Sequence, residues 1–421
     1  MTIWQTVPGG WAAWRKWHGF RRRISMRTAV VNQVSDIPLD DWNRVSGTGH
    51  PFLRHEFLSA LEAHGCVGDA HGWWPRHIVV YDSNDRLVGL APLYLKDNSY
   101  GEFVFDWAWA DAYQRAGVPY YPKLVSSIPY TPVTGSRLLV HPASDQASVR
   151  QAIIDRALSL TTEQQASSLH WLFTNEADTA LLCEAGFMRR SSCHFHWHND
   201  HYTSFEDFLS RLSSRKRKKI RRERRHVQEA GIEIRIVHGN EATTGQWQVM
   251  HDFYCSTFEK KSGMPTLSLG FFLEISRTMG EQVVLVFASL AQEIVAGAIM
   301  LRGDDALYGR HWGCREEFNS LHFEACYYQG LEFCIAQGLE RFEPGAQGEH
   351  KVSRGFLPTP TWSAHWIADA RWRDAIARFL DQERDAMSDY LAEMRGHSPY
   401  KASDDQGAMR ANLEDERSPR P

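Results

Sequence analysis

The densest grouping of side chains able to move protons or stabilise charge is Glu343-Pro344-Gly345-Ala346-Gln347-Gly348-Glu349-His350-Lys351-Val352-Ser353-Arg354-Gly355-Phe356. Its glycines let a ligand come close to the backbone. Acyl transfer to an amine requires that the nitrogen lose a proton, that the tetrahedral oxyanion be stabilised, and that the leaving group be able to take a proton. Glu343 and His350 have the right type for the first task, Lys351 and Arg354 for the second. The structural alternative is a loop of mutually satisfied ion pairs.

A second grouping runs Gly309-Arg310-His311-Trp312-Gly313-Cys314 and continues with Leu321-His322-Phe323-Glu324. His311 falls on a strand, and His322 and Glu324 fall at the start of the next helix. Lys351, Glu343, His311 and Glu324 are the catalytic candidates, and His322, His350 and Arg354 are candidate substrate contacts. No metal is expected, because the spacing is not His-Glu-x-x-His and no thiolate pair supports one.

Earlier in the chain, Asp106 lies among aromatics in Tyr100 to Trp109, Tyr121 lies in a long loop rich in hydrogen-bonding groups, and Arg54 opens a helix. These three are candidate substrate contacts. The run Arg215 to Arg225 carries nine cationic side chains against one acid, so it is either a solvated helix face or a contact for a polyanion such as tRNA, nucleotide or lipid phosphate. Arg217, Arg221 and Arg224 are its candidate phosphate contacts. No aromatic is interleaved, which favours phosphate contact over base stacking.

The elements that must position these residues repeat. His77–Tyr81 reads as a strand, Ser83-Asn84-Asp85 as a turn, Arg86 to Leu95 as a second strand and Glu102 to Trp109 as a third. The same order returns as Val283 to Phe287, Ile294 to Leu301 and Ala306 to Gly313. Each meander leads to a helix and another strand: Ser148 to Leu160 then Leu169 to Phe173, and Phe323 to Gln337, ended by Gly338, then Leu339 to Phe342. Between the halves, Thr203-Ser204-Phe205-Glu206 reads as a capping box opening a helix. The expected division is a basic tail over 1–26, a first domain over 27–200, a basic connecting helix over 201–228, a second domain over 229–395 and a disordered tail over 396–421. Residues 1–25 carry Arg15, Lys16, Arg21, Arg22 and Arg23 and no acid. They read as a frayed tail or an over-extended start with Met26 as initiator, the alternative being a basic arm for peripheral membrane contact.

A length of 421 residues with 43% apolar composition suits two cores. The net charge of −4 excludes a global basic field of the kind a dedicated nucleic-acid binder carries. Seven scattered cysteines with no Cys-x-x-Cys pair suit reduced thiols in a cytoplasmic protein, with Cys326 and Cys334 as core filler. No run approaches the roughly 18 apolar residues of a membrane span.

An antiparallel meander followed by a helix and a strand is the order of the GNAT acyltransferase core. Taken with Pro51 to Ser59, Tyr100 to Tyr113, Tyr120 to Leu138, Ser214 to Arg225, Gly309 to Gln329 and Arg341 to Phe356, the chain resembles the Fem-like branch of the GNAT superfamily. The resemblance implies an α/β (α+β) fold of tandem GNAT-like domains, each a mixed, mostly antiparallel sheet flanked by helices. It also implies transfer of an aminoacyl or acyl group to an amine, including one on a cell-wall precursor, with no bound cofactor and the donor as co-substrate. By the same resemblance Lys351 matches a lysine tied to transition-state stabilisation, Asp106 matches an aspartate that contacts the precursor, and His311 lies on the strand that faces the acyl group. One departure is that Arg315-Glu316-Glu317-Phe318-Asn319-Ser320 stands where acetyl-CoA-dependent relatives carry a glycine-rich pyrophosphate loop. It has two acids and no glycine, which makes the second domain a poor acetyl-CoA site and is consistent with a tRNA-borne or other bulky donor. The competing readings are an acyltransferase using a CoA or carrier-protein thioester on a small amine, and a non-catalytic recognition module.

Overall fold

The computed structural model describes residues 26–260, 263–346 and 348–401. In the second half, the apolar runs form the antiparallel strands Val283–Leu290, Glu293–Arg302 and Ala306–Cys314, covered on both faces. Ala291 and Gln292, both at positive φ, turn the first strand into the second, a hairpin whose backbone twist matches that of its strands. Helical residues then lead to Arg341–Glu343, which lies parallel to Ala306–Cys314. Gly338, at φ +65°, ends that helix. The first half repeats the unit: Lys123–Ser126, the helix Gln146–Glu163, and Ser168–Thr174 parallel to Lys123–Ser126.

The two copies share one sheet. Its order runs Glu233–His238, Val283–Leu290, Glu293–Arg302, Ala306–Cys314, Arg341–Glu343, Met188–His198, Leu357–Ile367, Ser168–Thr174, Lys123–Ser126, Tyr94–Lys96 and Trp73–Pro75. A separate four-stranded sheet holds Arg27–Val31, His77–Tyr81, Leu87–Ala91 and Leu139–Val140. The midpoint is interleaved. Met188–His198, from the first half, pairs with Arg341–Glu343 of the second, and Leu357–Ile367 inserts between Met188–His198 and Ser168–Thr174. A clean boundary between 200 and 229 is therefore corrected: backbone hydrogen bonds cross it in both directions.

Side chains cross it as well. One core cluster joins Trp42, Phe52, Phe57 and Leu61 to Trp247, Phe253, Phe271 and Leu301, and the Phe57 and Phe271 rings meet edge to face at 5.4 Å.

Three further expectations are corrected. Glu102 to Trp109 is not a strand; Trp107–Arg115 is a helix with Asp106 at its N-cap, and the aromatics there follow helical spacing. The connecting segment is two helices, Phe205–Arg211 and Ser214–Glu229, parted at Leu212 and Ser213, and it is Ser204 that accepts from the Asp207 amide. Residues 396–401 are not a free tail. The helix Ala370–Gly396 ends there, the Ser213 amide donates to Pro399, and Tyr400 Oη donates to the Gly355 carbonyl. The expectations for residues 1–25 and for those beyond 401 lie outside the described residues.

A shared sheet and a shared core couple the halves in unfolding. Differential scanning calorimetry should give one transition with equal calorimetric and van't Hoff enthalpies, and two resolved transitions would contradict the coupling.

Candidate active site

Ala306–Cys314 and Arg341–Glu343 are in register at only three pairs, Ala306 with Arg341, Leu307 with Phe342 and Tyr308 with Glu343. Beyond them the strands part. Gly309 stands where they separate: a Cβ there would lie 3.2 Å from Pro344 Cα, so a side chain would press the two strands apart by a few tenths of an ångström. The neighbouring strand pairs Met300 with Gly309 and Ile299 with His311, leaving Arg310 as the extra residue of a bulge. A bulge breaks the alternation of side chains and re-aims them. Arg310, His311 and Trp312 consequently all line one cleft of about 980 Å³ between the halves.

The first half supplies Trp73, Tyr100, Gly101 and Tyr130 to the cleft wall; the second supplies Tyr254, Met264, His322, Gly345 and Ala346. A smaller recess of about 130 Å³ opens between the parted strands, lined by Met300, Gly309, Cys326, Tyr327 and Pro344 and sharing Arg310, His311, Trp312 and His322 with the cleft. A π-helical turn over Glu324–Tyr328 carries Cys326 and Tyr327; such turns widen a helix locally.

The electrostatics follow from burial. His311 is edge-on to Tyr254 at 4.8 Å. Burial, and then the Arg310 charge, push its pKa well below the ordinary histidine value, so the imidazole is neutral. The Arg310 guanidinium donates to the Tyr130 carbonyl and to Thr131 Oγ1 and lies 5.6 Å from the Phe52 ring. Among the described residues no carboxylate pairs with it, and burial lowers its pKa to about 10.

Lys351 is buried, and its Nζ donates to the Gly345 carbonyl at 2.6 Å. Burial pushes its pKa down to about 8. Gly345 holds φ +100°, a conformation that favours glycine. The peptide joining Gly345 to Ala346 is trans, so its N–H points opposite to its carbonyl. With that carbonyl turned to Lys351, the Ala346 N–H faces away from the ammonium, and no described residue accepts from it.

The shared cleft expected for Lys351, Glu343, His311 and Glu324 is corrected in part. His311 and His322 line it, and Lys351 stands directly behind its wall. Glu343 is buried away from it, accepting from Arg341 at 2.9 Å and lying 3.6 Å from His196, and burial raises its pKa to about 7. Glu324 accepts from Arg224 and Gln329. Neither Glu343 nor Glu349 pairs with Lys351, and Glu349 accepts from Tyr390 instead.

The other expected contacts are engaged in holding structure. His350 meets Tyr327 Oη at 2.9 Å. Arg354 is buried on Glu223 and lies 3.5 Å from the Phe323 ring. Arg54 bonds Glu56 and Gln282, bridging the halves. Asp106 does not face the cleft; it accepts from Lys123 and Tyr120, while Lys123 also donates to Ser99 and Glu102. Tyr121 meets Ser99 at 2.9 Å. This network holds the loop whose Tyr100 and Gly101 line the cleft. On the basic helix Arg224 is committed to Glu324 and Glu332, Arg221 pairs with Glu206, and Arg217 donates to the Leu212 carbonyl. Arg221 stays exposed in that pair, and Arg215, Lys218, Arg222 and Arg225 are the exposed cations with no acid partner among the described residues.

Sequence reasoning missed Arg310 as a cleft residue, because alternation along a regular strand would set it opposite His311. It also missed the Ala346 amide, which carries no side-chain signal.

A meander, a parallel strand–helix–strand unit that parts at its end, and a second copy of that unit across a cleft define a tandem GNAT-like α/β protein. The chain belongs to the FemAB-like family, described as peptidoglycan biosynthesis/recognition, whose model matches residues 33–402. The crystal structure of FemX shares the fold, with a TM-score of 0.50 at 10% identity over 83% of this chain and 100% of that one. L-PGS from Bacillus licheniformis aligns with a TM-score of 0.48 at 10% identity, over 80% of this chain and 97% of that one. A tandem GNAT protein from the clavulanic acid biosynthesis pathway aligns with a TM-score of 0.44 at 12% identity, over 82% and 99%. Comparison with curated protein sequences gives no match. No helix among the described residues is long and apolar enough to cross a membrane.

Burial of Lys351 has a measurable cost. The amine titrates near 10.5 when unfolded and near 8 when folded. Below pH 8 both states hold the proton, and the folded state bears the whole cost of a buried ammonium. Between those values only the unfolded state holds it, so the cost lifts as pH rises. Lys351→Met should therefore be more stable than wild type at pH 7, by about 2–3 kcal/mol, and the difference should shrink towards pH 10 in urea titrations. An equal difference at both pH values would contradict this.

Proposed function

We propose that this chain is an N-acyltransferase that moves an aminoacyl or acyl group to an amine in the cleft between the halves, the acceptor being a cell-wall precursor. The observation that carries the reading is the Lys351 ammonium on the Gly345 carbonyl behind the cleft wall, in a peptide unit whose Ala346 N–H meets no acceptor among the described residues.

In the reaction the amine lone pair attacks the carbonyl carbon of the donor ester, and the carbonyl electron pair moves onto oxygen. That oxyanion accepts from the Ala346 N–H. An ammonium hydrogen-bonded to the Gly345 carbonyl polarises the peptide and makes its N–H a stronger donor, which matters most in a site with little water. The tetrahedral intermediate collapses by breaking the ester C–O bond, and the departing oxygen takes up the proton that the nitrogen gives up. His311, neutral and a weak base, accepts a hydrogen bond from the attacking nitrogen and orients it.

Two features bear on the donor. Arg215, Lys218, Arg222 and Arg225 offer a cationic face to a polyanion, which supports aminoacyl-tRNA. Glu316 and Glu317 are exposed where a pyrophosphate would have to rest, which weighs against CoA. The second reading is a thioester whose acyl group enters the recess between the parted strands, beside Met300, Cys326 and Pro344.

The test is amide formation from aminoacyl-tRNA or an acyl thioester with an amine-bearing precursor. Lys351→Ala should lower kcat about a hundredfold with the fold intact, and Lys351→Arg should recover only part of it, because a planar guanidinium cannot occupy the same point. Wild-type kcat/KM should fall as pH rises through about 8, where Lys351 loses its proton, and Lys351→Ala should lack that limb. Full turnover by Lys351→Ala would remove Lys351 from the mechanism.

If four phosphates meet the exposed cations of the basic helix, tRNA affinity should fall with salt at a log–log slope of roughly −3 to −4. Reversing Arg215, Lys218, Arg222 and Arg225 to Glu should flatten it. Equal binding by both proteins across salt would exclude the helix as a tRNA contact.

A further inference from the structure

Arg310 is the one guanidinium that the strand bulge turns into the cleft, and its bonding is incomplete. Nη2 serves the Tyr130 carbonyl and Thr131 Oγ1, while Nε and Nη1 have no acceptor among the described residues. The groups around it are apolar or uncharged: Phe52 under the guanidinium, Tyr254 and the neutral His311 beside it. Arg137, fully buried, also has no carboxylate on its guanidinium, but its Nε, Nη1 and Nη2 donate to the Leu172, Ser136 and Val133 carbonyls. Arg310, half-buried at the cleft wall, keeps two nitrogens without an acceptor. Tyr130 and Thr131 hold the Arg310 fork in place from the first half, so the group is oriented before any ligand arrives.

We propose that Arg310 is the receptor for an anionic group carried by the substrate, a carboxylate or a phosphate, so that the cleft takes an amine acceptor bearing its own oxyanion. This rests on the proposed function in naming the bound molecule as substrate. Charge-assisted hydrogen bonds from the unspent Nε–H or Nη1–H edge of a fixed guanidinium favour an oxyanion over a neutral carbonyl as the bound group. An oxyanion held by Arg310 lies beside His311, which orients the attacking nitrogen, so an acceptor that carries its amine and its oxyanion close together, as an amino acid or peptide does, suits the cleft better than a simple alkylamine.

The experiment is direct binding by isothermal titration calorimetry at fixed ionic strength, with N-acetylglycine as carboxylate probe and inorganic phosphate as the other. Wild type should bind at least one probe saturably. Arg310→Gln should weaken that binding about tenfold or more, and Arg310→Lys should restore part of it. Thr131→Val, close to isosteric, removes one anchor of the fork and should weaken binding severalfold even if Arg310→Gln does not fold. Stronger binding of N-acetylglycine assigns a carboxylate-bearing substrate, and stronger binding of phosphate a phosphate-bearing one. Failure of both probes on wild type, or wild-type affinity in the folded Arg310→Gln or Thr131→Val proteins, overturns the proposal. Anion binding without acyl transfer would count against the proposed function and leave this site standing. Transfer without anion binding would do the reverse.

Discussion

Two parallel strands that hold together for three residue pairs and then part are the constraint on which the site depends. Had Ala306–Cys314 and Arg341–Glu343 stayed paired, their backbone groups would have satisfied each other and left no room for a ligand. Because they separate at Gly309 and Pro344, the backbone beyond them must find other partners. Lys351 meets one of those needs at the Gly345 carbonyl, and the Ala346 N–H opposite it is left without a described acceptor. The bulge at Arg310 belongs to the same divergence, since it turns consecutive side chains into the space that the parting strands create.

Two cations next to that space, Lys351 and Arg310, are held without carboxylates, while most of the other buried charges are matched. Lys123 sits between Glu102 and Asp106, Arg354 on Glu223, and Arg341 between Glu343 and Asp305. Arg137, buried without a carboxylate, is held by three carbonyls and fastens the molecule as well. What sets Lys351 and Arg310 apart is that Arg310 stands at the cleft wall and Lys351 directly behind it. That placement also puts strain where function is expected, because stability given up at a site must be offset by packing elsewhere. The core shared by the two halves supplies that packing.

Much of the fold is legible in the sequence because it is local. The hairpin through Ala291 and Gln292, the glycine at 338 and the meander–helix–strand order of the second half each leave a pattern within a short window. The first-half meander does not form as read: Leu87–Ala91 and Tyr94–Lys96 go to different sheets. The interleaving does not. Nothing within Leu357–Ile367 says that its neighbours are Ser168–Thr174 and Met188–His198, since pairing partners are chosen by the whole sheet. Trp107–Arg115 was misread because aromatic residues suit strands and helices alike when both bury one face. At the site, the types of His311, His322 and Lys351 point to the right loops. Glu343, Glu324, Asp106 and Arg54 read as free to meet a ligand, but Glu343 is taken by Arg341 on its own strand, and Glu324, Asp106 and Arg54 by Arg224, Lys123 and Gln282 from other elements. For Glu324, Asp106 and Arg54 those partners are distant in sequence. The Ala346 amide is invisible in any list of side chains.

The late insertion of Leu357–Ile367 sets an order of events during synthesis. The first half emerges from the ribosome with a gap in its sheet, Ser168–Thr174 on one side and Met188–His198 on the other, and the strand that fills it follows almost the whole second half. Until residue 367 is free, both edges are open to the wrong partner, the hazard that exposed strand edges carry. Those edges therefore stay open while residues 199–367 are added. The two copies of the unit have also lost their independence: neither can complete its own sheet, so a gene split between them would encode two fragments that fold only by finding each other.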